Sequence, residues 1–186
     1  MAFNKTVETQ RGNSLYRTAT LVLFLSFLLV IAGKAFAQSA GGQADSWQFG
    51  AFYGRALPHD VSNQDNIFTI WGLRLSAPMP TSASHGGYFD GTYTSGNGGA
   101  VSLQQVAGGV SLQIPVQSLE LGTGIGLNIT RYTSDMVTGA KTVLGEYFTG
   151  SVLTKITPSV LARFDMTVSS QPGTILVFDL GLMYDF

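Results

Sequence analysis

From Ser46 to the last residue, apolar and polar positions alternate in eight separate runs, and a period of two marks β-strands with two unlike faces. The last run is the clearest. Thr174 to Phe186 sets Leu176, Phe178, Leu180, Leu182, Tyr184 and Phe186 on one face, against Val177, Asp179, Gly181, Met183 and Asp185 on the other. The first, Ser46 to Arg55, alternates Trp47, Phe49, Ala51 and Tyr53 with Gln48, Gly50, Phe52 and Gly54. The second, Ile67 to Ala77, places Ile67, Thr69, Trp71, Leu73 and Leu75 opposite Gly72 and Arg74, and Pro78 and Pro80, which cannot donate to a ladder, end it. The third, Gly87 to Ser95, is weaker, with Phe89, Gly91 and Tyr93 opposite Asp90, Thr92 and Thr94.

The fourth run, Ala100 to Ile114, changes phase. Val101 and Leu103 fit one register and Val106, Val110, Leu112 and Ile114 the other, so a bulge is expected near Gln104-Gln105. The fifth, Leu119 to Tyr132, faces Leu119, Leu121, Ile125, Leu127 and Ile129 one way and Glu120, Gly122, Gly124, Gly126, Asn128 and Thr130 the other. The sixth, Thr142 to Ile156, carries Phe148, Val152 and Ile156 at even positions, with Glu146 breaking the pattern. The seventh, Val160 to Val168, opposes Val160, Ala162, Phe164, Met166 and Val168 to Leu161, Arg163, Asp165 and Thr167. Polar loops are expected at 56–66 and 133–141, turns at 96–99, 115–118, 157–159 and 170–173, and a longer connection at 78–86.

An apolar strand running to a terminal Phe is a pairing hazard in water, because its edge invites another chain. Closing the sheet in lipid removes the edge and gives the apolar face a solvent. The fold expected is therefore all-β: an eight-stranded antiparallel up-and-down transmembrane β-barrel over 46–186. An even strand number puts both ends of the sheet on one side, so the loops at 56–66, 96–99, 133–141 and 170–173 would face outward. Trp47, Tyr184 and Phe186 would then form an aromatic girdle at the opposite rim.

The segment ahead of the strands sets the compartment. Lys5, Arg11 and Arg17 precede the apolar run Leu21 to Ala32, which is followed by Ala35-Phe36-Ala37. A basic start, an apolar core of about twelve residues and an A-x-A site make a cleavable secretory signal peptide, 1–37, leaving a short lead, 38–45. The apolar core falls short of the roughly 20 residues that a spanning helix needs. Cleavage takes away four basic residues and one acidic residue, leaving 149 residues with six and ten and a net charge of −4. With no basic cluster, nucleic acid is not an expected partner. Cys is absent, which excludes disulfides and thiolate metal sites.

The inward faces carry the candidate chemistry. Arg74, Glu120, Glu146, Arg163, Asp165 and Asp179 are read as a polar cluster inside the barrel, paired because buried charge is otherwise costly, with Arg74 low in the barrel near Glu120. An interior this narrow is filled by side chains, so a plug is expected rather than an open pore. Gly122, Gly124 and Gly126 lack the Lys-Ser/Thr and helix of a phosphate loop, and are read as space for neighbouring side chains. His59 with Asp60, Ser62 and Asp65, and His85 with Ser82 and Ser84, could furnish a hydrolytic set or a metal site, but a turn-rich loop is a poor frame for either, and they are read as loop residues. No catalytic residue, metal or cofactor is expected.

The AFA cleavage site, the alternating strands and the ending LGLMYDF together resemble the small eight-stranded outer-membrane barrels of Gram-negative bacteria, over essentially the whole mature region. Leu182, Tyr184 and Phe186 match the C-terminal insertion signal of such barrels. The resemblance implies a porin-like architecture in the outer membrane, contact with lipid and lipopolysaccharide, and handling by periplasmic chaperones and the barrel assembly machinery. It also implies a structural, adhesive or envelope-protective role. Two alternatives stand beside it: a lipid A modifying enzyme, which some small barrels are, and a soluble barrel that binds a small apolar ligand.

Overall fold

The structure, a computed structural model, describes residues 46–59, 67–79, 86–98, 101–134, 139–170 and 173–186. The expected signal peptide, 1–37, and lead, 38–45, lie outside the described residues. So do Asp60, Ser62, Asp65, Ser82, Ser84 and His85.

Eight strands form one closed antiparallel barrel in which each pairs with the next and the first with the last. They are β1 Gln48–His59, β2 Phe68–Pro78, β3 Gly86–Gly98, β4 Val101–Val116, β5 Leu119–Ser134, β6 Lys141–Thr157, β7 Val160–Ser169 and β8 Thr174–Asp185. Trp47 and Phe186 exchange reciprocal backbone hydrogen bonds of 2.9 Å where the first and last strands meet, and Ser46 Oγ donates to Asp185.

The register fixes the shape. Following directly opposed residues from Tyr53 through Trp71, Ser95, Gln104 and Arg131 reaches Thr142 on β6. Going the other way, through Leu180 and Phe164, reaches Val152, ten residues along the same strand. With strands about 4.8 Å apart and a rise of about 3.3 Å per residue, a shear of ten over eight strands tilts them by about 40°. The lumen of such a barrel is narrow enough for side chains to fill.

The two faces have opposite polarity. Outward stand Phe49, Tyr53, Trp71, Leu73, Phe89, Val106, Ile125, Leu127, Phe164, Leu180 and Leu182, all exposed. On β5 this apolar band runs from Leu119 to Ile129, which at the strand's tilt is a height of about 25 Å, that of a transmembrane barrel's apolar belt. Inward stand the buried polar residues, with two apolar layers near the ends. One packs Phe52, Ala56, Phe68, Ile70, Leu103 and Ile175 toward the loop end; the other packs Leu153, Leu161 and Met183 toward the end that holds the chain terminus.

The loop-end layer corrects the reading of β4. Its pairing with β3 and β5 runs without a break, so there is no bulge at Gln104-Gln105. Leu103 looks out of phase because it points into the lumen, where it is buried against Ile70 and Phe68. The register shift in the sheet falls between Lys155 and Thr157 instead. Strands also run further than expected: β1 continues to His59, β3 includes Gly96–Gly98, and β4 passes through Pro115, so that only Gln117 and Ser118 make the turn. Gln117 takes the left-handed conformation there, at φ 57°.

Candidate functional site in the charged lumen

Four of the six expected interior charges converge at mid-barrel. Arg74 reaches across the lumen from β2 and donates from Nη1 to Asp165 on β7, with its Nη2 3.9 Å from Asp179 on β8. Arg163, two residues before Asp165 on the same face, donates from Nε to both carboxylate oxygens at 3.0 and 2.9 Å, and from Nη2 to Ser151 Oγ at 2.9 Å. Ser151 in turn donates to Asp165. Asp165, fully buried, therefore accepts from two guanidinium groups and a hydroxyl, which is the condition under which a buried carboxylate is tolerated. Two Arg and two Asp balance in formal charge.

The cluster rests on neighbours of fitting size. Arg74 Cζ lies 5.1 Å from the centroid of the Phe52 ring, a cation–π contact. Phe52 can lie there because position 72 is Gly: a Cβ would stand 2.2 Å from the Phe52 Cζ. The glycine run of β5 serves the same end, since a Cβ on Gly126 would meet the Gly108 carbonyl oxygen at 2.3 Å and the Tyr147 ring at 2.7 Å. Around the charges, Asn128 donates to Ser169 at 2.8 Å, Gln105 to Thr130 at 2.9 Å and Thr167 to Thr149 at 2.9 Å, tying β4 through β7 together.

The other two expected members lie elsewhere. Glu146 faces outward and is exposed, on the same side as Leu144 and Phe148 and directly across from Leu127. Its even position puts it on the outward face of β6, so it is not part of an interior cluster. Glu120 is half-buried, and buried Leu153 separates it along its rung from Arg163. Arg74 meets Asp165 and Asp179, not Glu120, because the shear brings β2 opposite the middle of β7 rather than the foot of β5. Sequence reasoning missed Ser151, Tyr147 and Phe52, which have no charge to draw attention to them. Alternation alone places Ser151 opposite Asp165 once the hairpin of β6 and β7 is paired.

Beside the cluster lies a cavity of about 50 Å³, bounded by Phe52, Arg74, Asp90, Tyr147, Arg163 and Asp179. Two buried atoms, Arg163 Nη1 and Asp179 Oδ1, make no hydrogen bond within the protein. Small-molecule sites are typically several hundred Å³, so this space suits a few waters and nothing the size of a metabolite. Among the described residues no group of three or more His, Cys, Asp or Glu could hold a metal ion.

At the terminal rim, Trp47, Tyr184 and Phe186 all point outward and are exposed, with the Tyr184 and Phe186 rings stacked at 6.2 Å between centroids. Leu182 continues the same outward row.

No family model matches the sequence, and a search of curated proteins finds no match. By structure, the chain is similar to neisserial surface protein A, at 13% identity and a TM-score of 0.60, over 76% of this chain and 96% of that one. It is similar also to the N-terminal β-barrel domain of Pseudomonas aeruginosa OprF, at 13% identity and a TM-score of 0.60, over 78% and 99%. A third is Ail, the attachment invasion locus protein of Yersinia pestis, at 10% identity and a TM-score of 0.51, over 76% and 97%. At such identities the likeness is one of fold, and the fold is that of the small outer-membrane β-barrels.

Proposed function

We propose that the protein is an integral outer-membrane barrel whose lumen is plugged and whose role is structural, adhesive or protective of the envelope, exercised through its loop end. The observation that carries this reading is the reversed polarity of the sheet. Large apolar side chains ring the outside, Leu180 being 63% exposed, while Arg163, Asp165 and Asp179 are buried within. In water such a surface far exceeds the patch a soluble monomer tolerates; in hydrocarbon it costs nothing. A soluble ligand-binding barrel needs an apolar cavity of useful size, and a charged centre with about 50 Å³ beside it is the opposite. An adhesive role draws support from the company of the fold, since two similar barrels are by name a surface protein and an attachment invasion protein.

On this reading residues 1–37 are a signal peptide, and Leu182, Tyr184 and Phe186 are the signal read by the assembly machinery after chaperoned passage through the periplasm. Trp47, Tyr184 and Phe186 anchor the inner interface, and lipid with lipopolysaccharide surrounds the belt. The test is fractionation of cells expressing the full chain, followed by gel mobility of the detergent extract with and without boiling. Recovery in the outer-membrane fraction, with a boiling-dependent shift, is expected. Recovery in the soluble fraction without detergent would remove the proposal.

A further inference from the structure

The lumen holds a fifth charge at mid-barrel. Asp90 points inward from β3, half-buried, and accepts a hydrogen bond from Ser76 Oγ. No salt bridge joins it to Arg74 or Arg163, whose partners are Asp165 and Asp179. Asp90 bounds the same cavity as both arginines and Asp179. At that level three carboxylates therefore face two guanidinium groups, an excess of one negative formal charge. Inside a wall surrounded by hydrocarbon, an unbalanced carboxylate is costly unless a counter-charge reaches it.

Space and oxygen donors for one lie beside it. A Cβ on Gly109, directly across the pair from Asp90, would stand 2.5 Å from the Tyr147 hydroxyl oxygen, so that oxygen overhangs the rung of the carboxylate. Thr94, buried on the same face of β3, also lines the cavity. From β8 comes Asp179 Oδ1, unbonded on a residue only 3% exposed. A water needs about 10–15 Å³ of such volume, so about 50 Å³ takes a small ion with about two waters.

The way in is from the end that holds the chain termini. At the loop end the apolar layer around Phe68 and Ile70 closes the lumen. Below Asp90 the β1–β4 side is polar. Ser76 stands directly across from Asp90 and Gln48 directly across from Ser76, and Gln48 donates to Tyr88 at 3.3 Å and accepts from Gln113 at 3.4 Å. Ser111 Oγ and Gln113 Oε1, on that same side, are buried with no partner in the protein and are left for water.

We propose that the lumen binds one small monovalent cation at Asp90, reached from the terminal end and held there. Water alone would satisfy the unbonded atoms but leave the charge. A divalent ion would overshoot the excess and, as calcium, takes about six to eight oxygens. The inference rests on the membrane reading, since a barrel with water outside it loses little by an unbalanced carboxylate.

The test uses the full chain in phosphatidylcholine nanodiscs at about pH 8, with sodium as the probe and its NMR relaxation read against empty discs. Excess relaxation that saturates at millimolar sodium is expected. Asp90→Asn should cut it at least fivefold and Tyr147→Phe at least twofold, both keeping the boiling-dependent gel shift. Glu146→Gln, which removes an outward acid, should leave it unchanged. In urea the parent should unfold at least threefold more slowly in sodium chloride than in choline chloride of equal strength, a difference that Asp90→Asn removes. No saturable excess in the parent, the same excess in Asp90→Asn, or equal unfolding rates in the two salts would overturn the site. So would a parent indifferent to sodium whose unfolding slows on acidification while that of Asp90→Asn does not, because a proton then supplies the counter-charge. A barrel that shows the gel shift but no sodium response leaves the membrane reading intact, whereas a soluble protein ends both.

Discussion

Asp165 is the keystone of the lumen because three donors converge on it. Removing it takes the nearest carboxylate from two buried guanidinium groups, leaving Arg74 only its 3.9 Å contact with Asp179 and Arg163 its bond to Ser151, and breaking a buried ion pair from one side costs about 3–5 kcal/mol. Asp165→Ala should lower the stability of the refolded barrel by that order in urea titrations followed by Trp fluorescence in lipid vesicles. Asp179→Asn should cost less, since Asp179 has one long ion contact and an unengaged oxygen. Equal losses would mean that neutrality of the cluster, not the geometry at Asp165, is what matters. At this scale the sequence was informative where neighbours decide: Arg163 and Asp165, two apart, had to share a face. It was silent where the partner depends on shear, which is why Arg74 was expected near Glu120. Glu146 was misplaced by a preference for hiding charge, although its even position already put it beside Phe148 and Leu144.

Among the strands, alternation was a sound guide to which side each residue takes and a poor guide to what the inside contains. β4 shows why. Expecting an entirely polar lumen turns an inward Leu103 into evidence for a bulge, when the lumen has an apolar layer of its own. The glycines of β5 were legible as space, but which side chain fills it was not, because Tyr147 comes from β6 at a register the sequence does not display. A direct check follows. Gly126→Val sets a branched side chain against the Gly108 carbonyl and the Tyr147 ring, and should cost about 1–3 kcal/mol or more and deplete the heat-modifiable fraction. Gly150→Val, outward on β6 with nothing within 4 Å, should fold as well as the parent. Indifference to Gly126→Val would remove the close-approach account of that strand.

For the molecule as a whole, the deciding property is which solvent each face meets. Leu180→Arg places a charge on the outward face well inside the apolar belt, where about 2–4 kcal/mol of destabilisation is expected. Thr174→Arg at the loop end of the same strand should cost about 0–1 kcal/mol. Unfolding the two variants from bilayers of one composition gives the comparison. A soluble barrel would show no such gradient and would welcome Arg at either position. The eight strands and the closed sheet were readable because the belt is long and regular. The end of the pairing between β6 and β7 was not, since nothing in the alternation says where a neighbouring strand stops.

The seam between Gln48–His59 and Thr174–Asp185 has a kinetic corollary. Gln48 faces Asp185, so the joint that abolishes the final edge unites the two segments at opposite ends of the barrel sequence. Closure of so distant a contact is slow, and each hairpin waiting for it has a bare flank. The time between synthesis and sealing, more than any property of the finished cylinder, is when this protein is most exposed to misassembly.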